Sequence, residues 1–413
     1  MTCLGARLRA LASVLVFSVR IEDFLSMNST CDAVTRLAAE LIACPSVCPE
    51  DGGAQGIIAD RLKGAGFDVV GLEIDGIKSL YAVYGKSGPL VAFSGHSDVV
   101  PPGDVEAWMV HPFRPEVREG KLYGRGAIDM KGPLAASVIA AERFVAGLSP
   151  DEMPFRLGFI VAGDEEVMAN HGTLDLLAHI KESGDCLKHC IVTESTSQKV
   201  LGDMAKIGRR GSMVGELVIR GIQGHSAYPQ LASNPISKAL EPLDSLAKHE
   251  WGNGVDGFPP TTLQITNVRS GTGAANVIPG ELTAVFNFRF SPEFTAEALQ
   301  AKVTTLLKPF DLEYSLKWSC DAHPFLTQEG TLSGILAKAI KTKTGLDTEF
   351  STSGGTSDAR FIAPTGAEVI EFGTLSGMCH QVDEHVSVAD LQALASIYEL
   401  VLDGFVDEYR AIK

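Results

Sequence analysis

Up to residue 210 the chain alternates short apolar runs with stretches of helical period; the pattern changes between 211 and 322, and from 323 the first style returns. Strands that alternate with helices are satisfied by a largely parallel sheet buried on both faces, because each parallel pair needs a crossover and the crossover helices cover the sheet. In the first part, Val34, Leu37, Ala38, Leu41 and Ile42 recur at helical spacing and stop at Cys44-Pro45, and a second helix over 55–65 ends at Gly66. Strands are expected over 67–74, 80–84, 90–93, 155–161 and 190–193, with helices over 133–145 and 173–180. In the middle part, 213–220, 262–268 and 281–290 alternate as strands around helices over 235–249 and 296–308, which reads as an antiparallel sheet with helices on one side. A helix over 331–344, a strand over 368–372 and a helix over 388–405 close the chain. The expected fold class is therefore α/β, a mostly parallel sheet with helices on both faces, interrupted by an α+β insert. The expected main domain spans 28–210 and 323–413, the insert 211–322, and residues 1–27 form an extension outside the fold; 413 residues suffice for two cores.

A net charge of -16 repels phosphate backbones and anionic lipid, so neither nucleic acid nor a membrane surface is an expected partner, and an anionic small molecule must meet local arginines. The eight cysteines are spread without the density of a disulfide scaffold, which fits a reducing compartment. Arg7, Arg9 and the run Leu11 to Val19 imitate a signal peptide, but the run is too short to span a bilayer and leads into Arg20, Glu22 and Asp23 with no small-residue cleavage site. Met27 opens a polar stretch suited to a native start, so 1–26 reads as an upstream extension.

Acidic residues and histidines fall where the expected strands end. His96 and Asp98 follow 90–93, Glu165 and Glu166 follow 155–161, Glu194 follows 190–193, and His380 follows 368–372. In open α/β sheets, ligands bind in the crevice beyond the carboxyl ends of the strands. Asp129 joins from the glycine-rich loop ahead of the helix at Pro133. One such residue alone reads as a solvated loop position. Several carboxylates in one crevice raise one another's pKa and repel unless a cation neutralises them. Two imidazoles among carboxylates form a nitrogen and oxygen donor set that suits zinc.

Ser94-Gly95-His96-Ser97-Asp98-Val99-Val100-Pro101, Gly124-Arg125-Gly126-Ala127-Ile128-Asp129-Met130-Lys131-Gly132 and Asp164-Glu165-Glu166 resemble the aminoacylase, carboxypeptidase and desuccinylase superfamily of two-zinc hydrolases. Gly271-Thr272-Gly273, the run Asn276 to Glu281, Phe286-Asn287-Phe288-Arg289-Phe290 and the run Ser353 to Asp358 resemble its desuccinylase branch, and the likeness extends from about Ser29 to the C-terminal helix. The resemblance implies a cytoplasmic homodimer that hydrolyses the amide of N-succinyl-L,L-2,6-diaminopimelate with two zinc ions, for which cobalt can substitute. It implies that Asp129 bridges the metals, His96 and Glu194 complete one site, Glu166 and His380 complete the other, and the Asp98 carboxylate holds the far nitrogen of the His96 ring. Adjacent side chains in extended backbone point to opposite sides, so Glu166 can ligate while Glu165 serves as general base.

His225, in the insert, is the implied oxyanion donor, reaching the active site of the partner subunit with Tyr228 and Asn276 beside it. The insert is thus a dimerisation and lid domain. Arg209 and Arg289, with Gly355 and Thr356, are implied to hold substrate carboxylates, a task for which planar guanidinium forks are suited. A sister hydrolase with another acyl preference, such as an acetylornithine deacetylase or a carboxypeptidase, shares the ligands, but the Gly354 to Asp358 run argues against it. A non-catalytic binding protein on the same fold has little use for Glu165.

Overall fold

Asp32 accepts hydrogen bonds from the backbone N–H groups of Val34 (2.9 Å) and Thr35 (3.2 Å), and this cap starts the helix Ala33–Ile42, whose expected apolar stripe is buried. The computed structural model describes residues 32–411 apart from 168 and 170, so the expectation for 1–27 lies outside the described residues. Among the described residues, no helix is long and apolar enough to cross a membrane.

Eight strands form one sheet in the spatial order 68–74, 77–84, 156–162, 90–96, 187–192, 368–371, 204–206 and 349–351. Its centre is parallel: Leu90–His96 lies between Arg156–Ala162 and Leu187–Val192, and Leu187–Val192 pairs onward with Glu368–Glu371. The edge hairpin 68–74 and 77–84 is antiparallel, as is its junction with Arg156–Ala162. Every residue of Leu90–His96 is buried, which requires cover on both faces. Helices Ala33–Ile42, Lys131–Val145, Thr331–Thr344 and Val388–Ala411 pack together, while Ala54–Gly64 and Gly172–Glu182 pack on the antiparallel side of the sheet. The helix expected from Pro133 begins at Lys131; proline is tolerated there because first-turn N–H groups have no partner within the helix. The short strands Met204–Lys206 and Glu349–Ser351 have no apolar run to announce them.

The described chain divides into two compact units, one running through Ala205 with Gln328–Phe350 and Phe361 onward, the other Lys206–Thr327 with Ser351–Arg360. The return segment joins the second unit through specific contacts. Lys206 donates to the Ser353 hydroxyl (2.8 Å), Arg209 donates to the Ser353 carbonyl (2.7 Å), and the Thr352 hydroxyl donates to the Gly257 carbonyl. This unit holds an antiparallel sheet in the order 262–270, 281–290, 211–220, 314–322. Along Glu281–Phe290 burial alternates residue by residue, so Leu282, Ala284, Phe286, Phe288 and Phe290 form one face of a core shared with Leu246, Trp251, Leu299 and Val303. The strand Tyr314–Ala322 was not expected. Tyr314, Leu316 and Trp318 alternate with Ser315, Lys317 and Ser319 and pack against the core of this unit, so the period-2 signal of a half-buried strand is present in the sequence.

Candidate metal centre

Four parallel strands aim their carboxyl ends at one edge of the sheet, and each delivers ligand-type side chains there. His96 is the last residue of Leu90–His96, Glu165 and Glu166 occupy the turn after Arg156–Ala162, and Glu194 lies just past Leu187–Val192. His380 lies in the loop after Glu368–Glu371, in left-handed backbone at φ 62°, a conformation that costs a non-glycine residue energy and needs outside support. Asp129 ends a tight loop packed on the start of Lys131–Val145; a Cβ at Gly132 would lie 2.2 Å from the Ala127 carbonyl oxygen, so only glycine permits this approach.

The two oxygens of Asp129 face different imidazoles: Oδ1 is 3.3 Å from His96 Nε2, and Oδ2 is 3.3 Å from His380 Nε2. His96 Nε2 also lies 3.7 Å from Glu194 Oε1 and 3.9 Å from Glu165 Oε2, while His380 Nε2 is 3.0 Å from Glu166 Oε1. Ligand atoms of His96, Asp129 and Glu166 fall within 4.8 Å of one another, as do those of His96, Glu165 and Glu194. His96 Nε2 and Asp129 Oδ1 are both closed off from solvent without a hydrogen bond of good geometry, which a metal–ligand bond would remedy.

The electrostatics show the same conflict. Burial, then the charges of Asp129, Glu165 and Glu371, hold the Glu194 carboxyl well above the usual carboxylate range. Burial opposes a charged His96, yet Asp129 and Asp98 outweigh it and raise its pKa well above the ordinary imidazole value. Hydrogen bonds to Asp129 and Glu166 push His380 up to about 10. Carboxylates crowded together raise the cost of ionising one another, and a bound cation removes that frustration. The donor set, nitrogen and oxygen with no sulfur, fits a first-row divalent metal.

Two details differ from the sequence reading. The far nitrogen of His96, Nδ1, is bonded to the main-chain carbonyl of Asp98 (3.0 Å), with the Asp98 carboxylate at 3.5 Å. That carboxylate also accepts the backbone N–H groups of Glu165 (3.2 Å) and Glu166 (3.0 Å), so Asp98 orients the acidic pair as well as the ring. Glu165 and Glu166 lie in a turn rather than in extended backbone, with Glu165 Oε2 nearest His96 and Glu166 Oε1 nearest His380.

Among the remaining candidates, Arg209 is buried, with its guanidinium against the backbone of Gly354; a Cβ there would sit 2.3 Å from a guanidinium nitrogen, and Gly354 has φ 103°. Gly355 and Thr356 follow it, with Gly355 exposed. Arg289 lies on the outer face of Glu281–Phe290 with one terminal nitrogen buried and without a hydrogen bond. His225, Tyr228 and Asn276 cluster on an exposed two-strand ribbon: His225 pairs with Val277, Ser226 N–H donates to the Asn276 carbonyl (3.0 Å), and the rings of His225 and Tyr228 meet edge to face at 5.6 Å.

The sequence reading missed Glu384 and gave Arg125 no role, although the pair is buried beneath this centre with Arg125 Nη1 2.7 Å from Glu384 Oε2. In Gln381-Val382-Asp383-Glu384-His385, nothing distinguishes Glu384 from a solvated loop acid.

The sequence model of peptidase family M20/M25/M40 matches residues 92–404. A succinyl-diaminopimelate desuccinylase of Nitrosococcus oceani is 46% identical over 376 residues, covering 91% of this chain and 100% of that protein. Among solved structures, an M20 family metallo-carboxypeptidase from Sulfolobus solfataricus superimposes with a TM-score of 0.77 at 16% identity, covering 91% of this chain and 100% of that one. A dinuclear metal-binding peptidase of family M20 from Bacillus subtilis superimposes with a TM-score of 0.65 at 17% identity, covering 90% and 97%. The strand-end cluster of histidines and carboxylates therefore sits in a chain that belongs to peptidase family M20/M25/M40.

Proposed function

We propose that the chain hydrolyses the amide of N-succinyl-L,L-2,6-diaminopimelate to succinate and L,L-2,6-diaminopimelate. The observation that carries the chemistry is Asp129 facing His96 with one oxygen and His380 with the other, which supports a carboxylate shared by two metal positions. The substrate rests on the desuccinylase relative, 46% identical over 91% of the chain. His96 and Glu194 would complete the first position, Glu166 and His380 the second. Zinc is the proposed metal, with cobalt as a substitute, and the dinuclear relative from Bacillus subtilis supports the count. When bound, the metals polarise the amide carbonyl and make the attacking water more acidic.

Glu165 accepts the proton of the attacking water and passes it to the leaving nitrogen as the carbon–nitrogen bond breaks. Asp98 keeps Glu165 in place through its backbone N–H. Arg209 and Arg289 bind substrate carboxylates, with Gly355, Thr356, Tyr228 and Asn276 completing the contacts. In an assay with added zinc, succinyl-diaminopimelate should be turned over in strong preference to acetylornithine, and chelation should abolish turnover until zinc is restored. Faster hydrolysis of acetylornithine would assign the chain to a sister activity.

His225 is proposed to donate a hydrogen bond to the oxyanion in the partner's active site of a homodimer. Support comes from the exposed apolar side chains of the same unit, Ile222 (60%), Leu231 (73%), Leu240 (65%) and Val268 (52%), and from the exposed edge strand Thr262–Ser270. His225→Ala should lower turnover by roughly 10²- to 10³-fold, the scale of losing one oxyanion donor. Refolding Glu165→Gln subunits with His225→Ala subunits places an intact Glu165 beside an intact His225 in one site of each mixed dimer. With random pairing about a quarter of the activity of the unsubstituted protein should return. Mixed dimers as inactive as their parents would mean that each chain uses its own histidine.

A further inference from the structure

Glu384 is fully buried, and both its oxygens serve the loop that ends at Asp129. Oε1 accepts the backbone N–H groups of Ile128 (2.8 Å) and Asp129 (3.2 Å); Oε2 accepts the Gly126 N–H (3.1 Å) and the Arg125 guanidinium (2.7 Å). The Gly124 N–H donates to the Glu384 main-chain carbonyl (3.0 Å). Arg125, itself buried, lies 5.1 Å from the centre of the Trp108 ring and donates onward to the main-chain carbonyls of Gln381 (3.3 Å) and His380 (3.4 Å). A closed run of contacts therefore ties the loop of Asp129 to the loop of His380, the two residues facing each other at 3.3 Å. Neither Glu384 nor Arg125 is among the proposed ligands.

We infer that Glu384 and Arg125 are positioning residues that set the spacing of Asp129 and His380 and thereby the affinity of the second metal position. The inference rests on the ligand assignment proposed above. A ligand pair held at its working separation before the metal arrives loses little freedom on binding, whereas loosely tethered loops must be ordered by the metal itself. The left-handed backbone of His380 makes this tether necessary, because strained backbone persists only when its surroundings over-determine it. The first position draws His96 from the end of a central strand and Glu194 from just past its neighbour, so the clamp reaches that position only through Asp129. Glutamine cannot replace Glu384, because each oxygen accepts two N–H groups and the amide nitrogen would confront two donors with a third.

The test is titration of Co(II) into metal-free full-length protein, followed by calorimetry and by the visible absorption of the bound ion. In Glu384→Gln the second equivalent should bind roughly 10- to 100-fold more weakly, the usual cost of losing a group that orients a ligand, with the first equivalent nearly unchanged. Arg125→Lys keeps a cation beside Glu384 but loses the fork that reaches the His380 carbonyl; it should shift the second equivalent in the same direction by less, and it decides the question if Glu384→Gln does not fold. His380→Ala is the control. If it binds both equivalents as the parent does, the ligand assignment fails. If it loses the second while Glu384→Gln and Arg125→Lys keep parental affinity, or if those variants weaken both equivalents alike together with the melting temperature, the positioning role is overturned.

Discussion

Glu165→Gln should retain two equivalents of metal and lose roughly 10²- to 10⁴-fold in turnover, the range that a positioned general base contributes. The amide is nearly isosteric with the carboxylate but cannot take a proton from the attacking water. Geometry leaves a definite rival: Glu165 Oε2 lies 3.9 Å from His96 Nε2, barely farther than Glu194 Oε1 at 3.7 Å, and Glu165 can form a ligand group with both. Elemental analysis of the purified variant separates the two roles. A base leaves metal content intact and removes turnover, whereas a ligand takes the first equivalent with it. Metal loss as steep as that of Glu194→Ala would assign Glu165 to the metal shell and leave the proton transfer to another group.

Asp129→Ala should abolish turnover and deprive both positions of metal, a larger loss than removal of any other single ligand, since Asp129 lies 3.3 Å from each imidazole. The signature extends to stability. A metal held only by the folded state stabilises it by about 4 kcal/mol at a thousandfold excess over its dissociation constant. The parent should therefore melt higher as zinc is added, and Asp129→Ala should not. In the metal-free state the variant should gain relief from crowding, because Asp129 has the largest effect among the neighbouring charges that raise the Glu194 carboxyl. A variant that binds one equivalent at parental affinity, or whose melting rises with zinc as the parent's does, would mean that Asp129 belongs to a single position.

Much of this centre was legible before folding, and for a physical reason. Strand ends in a parallel sheet expose polar residues to one crevice, so apolar runs terminated by His96, Glu165, Glu166, Glu194 and His380 marked the place where charge would gather. The elements were legible for a related reason, since buried periodicity is written into side-chain order: Glu281–Phe290 and Thr331–Thr344 fall where their patterns put them. Tyr314–Ala322 carries the same kind of signal, with Tyr314, Leu316 and Trp318 alternating with Ser315, Lys317 and Ser319.

Residue order by itself determined the strand and helix periods, the interruption by a second core and the gathering of carboxylates with imidazoles, because each depends on nearest neighbours along the chain and on how polarity follows burial. Only the tertiary structure decided which atoms do the holding. It sets the Asp98 carboxylate on two backbone amides as well as beside the His96 ring, and gives that ring the Asp98 carbonyl. It draws Ser351–Arg360 into the second unit through Lys206, Arg209 and Gly257. It also buries Glu384 beneath the Asp129 loop, 255 residues away in sequence. Hydrogen bonds between segments so distant in the chain leave no periodic trace, since their partners are set by the path of the folded backbone.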